Sequence, residues 1–146
     1  MATNTREIQT VPDKVWAVLA DGWLYPLWVV GATRMRDVDS TWPQVGAKIH
    51  HSAGVWPVIV NDNTEVLESD PGRFLRLRAR GWPLGEAEVA ITLTATGPNT
   101  LVEIREKAVS GPGALIPGPI EDITIKWRNV ETLRRLAFIA ENRQEP

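Results

Sequence analysis

Three turn signals in the middle of the chain decide how its alternating runs fold back, and they agree with one another. Gly81-Trp82-Pro83-Leu84-Gly85 joins two such runs. Pairing Arg80 with Glu86 sets Arg78 against Glu88 on one face, and Leu77 against Val89 and Leu75 against Ile91 on the other. Thr96-Gly97-Pro98-Asn99 starts the next turn. Pairing Ala95 with Thr100 then places Leu93 opposite Val102, Ile91 opposite Ile104 and Glu88 opposite Lys107. Ser69-Asp70-Pro71-Gly72 turns the chain so that Val66 meets Leu75 and Glu65 meets Arg76. Each register puts apolar residues on one face and opposite charges on the other, and a slip of one residue would reverse every face.

These runs fill roughly 33–109. Before them lie two short Trp-containing helical stretches, and after them one long amphipathic helix over about 120–141. Thr10 is placed to cap the first helix, which starts at Val11 or Pro12, with Asp13 as a carboxylate variant of the capping box. Val15, Trp16 and Leu19 follow at helical spacing, and Asp21-Gly22 ends it. Trp23–Trp28 reads as a second, Pro-interrupted helix. Ser110–Pro119 is too rich in Gly and Pro for regular structure and reads as either a connector or a lid tipped by Leu115 and Ile116. In the final helix Ile123, Trp127, Val130, Leu133, Ala137 and Ala140 form one stripe for the core, with Leu136 beside it. One helix cannot fill the concave side of a large curved sheet, so a pocket is expected between them.

The chain of 146 residues is one domain's worth and reads as a single domain over 1–146. A net charge of −2 gives no bulk pull toward nucleic acid or an anionic membrane. There is no Cys, no apolar run long enough to span a membrane, and no apolar stretch of signal-peptide type at the start. The expectation is a soluble cytoplasmic protein, with a homo-oligomer left open. Seven Trp, three of them in Trp-Pro pairs (42–43, 56–57, 82–83), suit strand ends and apolar pockets.

Strand parity makes one demand on chemistry. Val102, Ile104, Glu106 and Ala108 share the inner face, so Glu106 is a carboxylate on the core side and requires a partner, water or a ligand. If Ile49 faces inward, so does His51, while His50 faces out. His51 is then a candidate partner for Glu106, and such a pair in an apolar cavity can do acid/base work. The alternative for each is a buried residue satisfied by hydrogen bonds. Adjacent strand histidines cannot converge on one metal ion, and no metal or other cofactor is expected. The arginines at 73, 76, 78 and 80 read as a salt-bridged outer face rather than a phosphate site. The inner-face residues Val66, Leu75, Leu77, Val89, Ile91 and Ile104 line the expected pocket. Trp28, Trp56, Leu115, Ile116, Ile123, Trp127 and Val130 complete it.

The segments Val11–Asp21, Tyr25-Pro26-Leu27-Trp28, Val45-Gly46 and Leu67–Phe74 resemble the SRPBCC superfamily (START-like and birch-pollen-allergen-like), most closely its polyketide cyclase/dehydrase-like bacterial members. The resemblance covers nearly the whole chain. It implies an α+β helix-grip fold, a curved seven-stranded antiparallel sheet around a long C-terminal helix, with a first strand at about 4–10 and two short helices after it. Members bind lipids, sterols, polyketides or plant hormones. Some cyclise or dehydrate polyketides, and others activate chaperones or act as toxins. No invariant catalytic motif carries over. Three functions are therefore open: a carrier or sensor of a hydrophobic small molecule, a cyclase or dehydratase using His51 and Glu106, or a protein-interaction module.

Overall fold

The computed structural model describes residues 1–30, 32–55, 58–81 and 85–143. Seven antiparallel strands form one curved sheet in the order β1-β7-β6-β5-β4-β3-β2. The strands are β1 (Ala2–Ile8), β2 (Ala32–Val38), β3 (Lys48–Val55), β4 (Val58–Asp70), β5 (Phe74–Gly81), β6 (Gly85–Thr96) and β7 (Asn99–Ser110). Helices α1 (Pro12–Ala20) and α2 (Tyr25–Trp28), with a 3-10 turn between them, connect β1 to β2, and α3 (Gly118–Asn142) closes the chain. This is the helix-grip architecture. The first strand lies two residues earlier than the resemblance placed it.

Local chemistry explains the helix starts. α1 begins at Pro12, and no side chain caps it; Val11 occupies the cap position and Thr10 does not serve. Proline at the first position already removes one unpaired N–H, while the Thr10 carbonyl is engaged by the Thr100 hydroxyl at 2.7 Å. Val15, Val18 and Leu19 are the buried face of α1, with Trp16 only partly covered. Gly22 is required where it stands: a Cβ there would lie 2.8 Å from Val38 Cγ1 and 2.9 Å from Ile49 Cγ2.

The β5–β6 and β6–β7 registers match the sequence reading pair for pair, including Leu77 with Val89, Ile91 with Ile104 and Glu106 opposite Val89. Trp56-Pro57 and Trp82-Pro83 lie outside the described residues. The β4–β5 pairing differs from expectation. Val66 meets Leu77, Glu65 meets Arg78 and Glu68 meets Arg76, with a bulge between Val66 and Glu68. The bulge takes up one residue, so Val66 still faces inward although the pairing has moved by two. The outer face is charge-paired: Arg76 with Glu68 at 2.8 Å, Arg80 with Glu86 at 2.8 Å and Arg78 with Glu88 at 3.4 Å. Such exposed pairs specify register more than they stabilise.

Two expectations for the C-terminal third are corrected. Ser110–Pro119 is not irregular throughout, since Pro112–Leu115 form a 3-10 turn and α3 already starts at Gly118. The proposed stripe on α3 also divides. Leu133, Leu136, Ala137 and Ala140 are buried, but Ile123, Trp127 and Val130 face solvent at 69%, 83% and 55% exposure. The stripe runs at close to a heptad spacing, which drifts about 20° per heptad on a straight helix. It therefore leaves the core toward the N-terminal end. There the buried positions are Asn129 and Thr132.

Candidate functional site

The site grows from the inner ends of β3, β4 and β7 and from the inward sides of α2 and α3. Strand parity turns His51 inward beside Ile49, and it is buried. His50 points outward and meets Asp39 at 3.2 Å. His51 Nε2 lies 2.8 Å from the hydroxyl of Thr64, a diagonal neighbour across the β3–β4 ladder. The Thr64 hydroxyl lies 3.3 Å from the phenol of Tyr25 on α2. Tyr25 stacks on the imidazole at 5.5 Å between ring centres and meets the edge of Trp28 at 5.4 Å. Burial holds the imidazole below the usual histidine range, with smaller opposing and reinforcing effects from Asp62, Arg36 and His50, so it is neutral at pH 7. Burial likewise raises the Tyr25 phenol, which stays protonated.

Glu106 is buried at 5% exposure, as parity required, and its partner is Arg128 on α3, whose Nη2 donates to Oε2. His51 and Glu106 are each bonded elsewhere and not to one another. Both charges of the second pair lie close enough to Tyr25 to act on its phenol. One turn of helix away, Thr132 Oγ1 accepts from the Val30 N–H at 3.5 Å, which ties α3 to the segment after α2. Three buried nitrogens on these inward-facing elements have no protein partner among the described residues: Trp28 Nε1, His51 Nδ1 and Asn129 Nδ2.

Beside these groups the inner face of the sheet is shallow. The row Val66, Leu77, Val89 and Glu106 is followed by the row Thr64, Ala79, Ala87 and Ala108. Three alanines across three adjacent strands leave the floor set back. Leu75, Leu77, Ile91 and Ile104 are fully covered, whereas Val89, Ala79, Ala87 and Ala108 are only part-buried. The inner face thus opens toward solvent at the alanine end. The backbone of α3 comes closest to β1, α1 and α2 among the described residues, and stands further from β3–β6.

Of the residues singled out by sequence, His51, Glu106 and Trp28 are buried here, with Val66, Leu75, Leu77, Ile91 and Ile104 on the same face. Leu115 and Ile116 lie beyond, at 86% and 37% exposure. Ile123, Trp127 and Val130 point away from it, and Trp56 is outside the described residues. Sequence reasoning missed Tyr25, Thr64, Arg128 and Asn129. The inward alanines at 79, 87 and 108 were the available signal, since a run of small residues on a core face marks missing volume. No three His, Asp or Glu side chains converge as metal ligands among the described residues.

The backbone resembles several solved structures at low sequence identity, which speaks to fold. The di-domain ARO/CYC StfQ from the steffimycin biosynthetic pathway matches with a TM-score of 0.73 and 14% identity, over 97% of this chain and 50% of that one. Protein NE0264 from Nitrosomonas europaea matches with a TM-score of 0.71 and 17% identity, over 94% and 91% of the two chains. Ara h 8.0201 matches with a TM-score of 0.69 and 13% identity, over 94% and 96%. No curated protein sequence matches. A sequence-family profile described as polyketide cyclase / dehydrase and lipid transport matches residues 2–139, and with the helix-grip sheet beneath it the chain belongs to that family of the SRPBCC superfamily.

Proposed function

We propose that this protein binds a hydrophobic small molecule between the alanine end of the sheet and α3, as a carrier or sensor. The observation that carries the reading is the set-back floor at Ala79, Ala87 and Ala108, next to buried polar groups that lack protein partners. Apolar walls with a few fixed polar atoms are the usual make-up of a small-molecule site. The family description, which includes lipid transport, supports the same reading. The test is native mass spectrometry and Trp-fluorescence titration against lipids, sterols and aromatic polyketides. Binding of one class at micromolar levels or tighter is expected, and no binding by any member would overturn the reading.

A second reading is favoured by the Tyr25–Thr64–His51 chain together with the likeness to a polyketide ARO/CYC protein. His51 and Glu106 would then serve a cyclisation or dehydration, His51 at the proton and Glu106 as an orienting group through Arg128. His51→Ala and Glu106→Gln distinguish the two. Turnover of a poly-β-ketone left unchanged by both substitutions would remove His51 and Glu106 from any reaction.

A further inference from the structure

We infer that the polar end of this site is built to receive an uncharged carbonyl oxygen, so that the ligand is an apolar ketone, quinone or ester rather than a hydrocarbon or a free carboxylate. The inference rests on the ligand-binding reading above and names the class of molecule that fits it.

The protons of the buried chain can be placed by elimination. The Tyr25 phenol has one partner among the described residues, Thr64, and its proton is met only if it donates to it. Thr64 has a single proton, and its other neighbour is His51 Nε2, which therefore accepts. Any other direction leaves a second proton or lone pair unmet in the interior. A neutral imidazole that accepts at Nε2 carries its hydrogen at Nδ1. That nitrogen is buried and without a partner among the described residues, so it is a donor with nothing there to donate to. Trp28 Nε1, on the second ring that packs against Tyr25, can only donate and is in the same position. Asn129, 2% exposed on the inward side of α3, has an unmet amide nitrogen and can present either end of its amide. Buried donors without acceptors are costly, and two such donors on rings packed against one tyrosine call for an acceptor from outside the protein.

Charge decides between acceptors. Arg128, the cation that α3 brings to this interior, is already met by Glu106. His51 is neutral. A carboxylate would arrive without a counter-charge and would add to Glu106, whereas a carbonyl oxygen accepts the same hydrogen bonds without bringing a charge out of water.

The experiment uses three probes of one shape on the whole protein: 2-acetylnaphthalene, 2-ethylnaphthalene and 2-naphthoate, measured by equilibrium dialysis at pH 7.5. The ketone is expected to bind about tenfold more tightly than the ethyl compound, the scale of one or two net hydrogen bonds, and more tightly than the carboxylate. Its carbonyl stretch is expected below the frequency seen in hexane. Trp28→Phe and, separately, Asn129→Leu should each narrow the gap between ketone and ethyl compound without weakening the latter. Equal binding of ketone and ethyl compound, or tightest binding by the carboxylate, overturns this inference and leaves the ligand-binding reading in place. Binding by none of the three overturns both. Because the wild-type series alone decides between acceptors, a variant that fails to fold does not block the test.

Discussion

Replacing Arg128 by Met should cost far more than replacing its partner, and the asymmetry can be worked from the burial of the two groups. The Glu106 side chain is 7% exposed and that of Arg128 37%. Removing one member of a fully buried pair costs about 3–5 kcal/mol, because the other charge is left without compensation. Arg128 is the wetter member, so water can enter where the guanidinium stood, and the expected cost of Arg128→Met is about 2–3 kcal/mol. Glu106→Gln leaves the more exposed Arg128, which can turn to solvent, at about 1 kcal/mol. Removing both charges with Glu106→Gln and Arg128→Met should return the protein to within about 1 kcal/mol of wild type. At this size about 1 kcal/mol corresponds to roughly 2–4 °C in Tm. Urea unfolding of the four proteins, followed by far-UV circular dichroism, closes a double-mutant cycle. If the single substitutions cost the same and the double is their sum, the two charges are not coupled and Glu106 is held by water instead.

The remaining predictions address the corrected helix face, the buried imidazole and a tight packing point. Trp127→Ser should change stability by less than about 0.5 kcal/mol, whereas Leu136→Ala should cost about 2–5 kcal/mol; similar losses in a thermal melt would put Trp127 back in the core. His51 has its pKa lowered by burial. Between that lowered value and the ordinary value near 6.5, the unfolded chain binds more protons than the folded one, so stability falls as pH drops below about 6.5, by at most about 1.4 kcal/mol per pH unit from this group. His51→Gln should flatten that slope, and an unchanged slope would mean the imidazole is not held neutral. Gly22→Ala should cost about 1–3 kcal/mol by pressing on Val38 and Ile49; a neutral result in the same melt would show that the 3-10 turn after α1 can move away from β2 and β3 there.

What could be read from the chain, and what could not, follows from which forces are local. Turn residues and alternation over 74–110 determine β5, β6 and β7 together, because any slip would bury the arginines that now face out. That is why Glu106 could be placed inward from parity alone. The β4–β5 bulge at Leu67 left no mark, since it changes the pairing and preserves the face of Val66. The phase of α3 was not legible because a helix with apolar residues on more than one side is oriented by docking. Here Arg128 meets Glu106 and Thr132 meets Val30, so Asn129 and Thr132 turn inward and Trp127 turns out. The Tyr25–Thr64–His51 chain joins α2, β4 and β3. Its assembly depended on contacts between residues 13 and 39 positions apart, which no local pattern encodes.

These placements divide the molecule by task along α3. Its second half lays Leu133, Leu136, Ala137 and Ala140 into the core that includes Ile8, Val15, Val18 and Leu19. It is tied down by Glu141, which accepts from the Gln9 N–H at 2.8 Å. Its first half turns Arg128, Asn129 and Thr132 inward, over a sheet floor of alanines, and cannot form a dry core there. The cost of those polar groups is recovered only when each has a partner, and Trp28 Nε1, His51 Nδ1 and Asn129 Nδ2 have none among the described residues. A ligand that supplies the missing acceptor would therefore stabilise the fold by mass action as well as bind to it. At one hundred times its Kd the gain is about 2.7 kcal/mol. Since that gain belongs to the open end, Trp28→Phe should reduce the ligand-induced rise in Tm. Leu136→Ala, at the dry end, should lower Tm in the presence and absence of ligand by the same amount. A loss of ligand stabilisation in Leu136→Ala equal to that in Trp28→Phe would show that the two ends are one cooperative site.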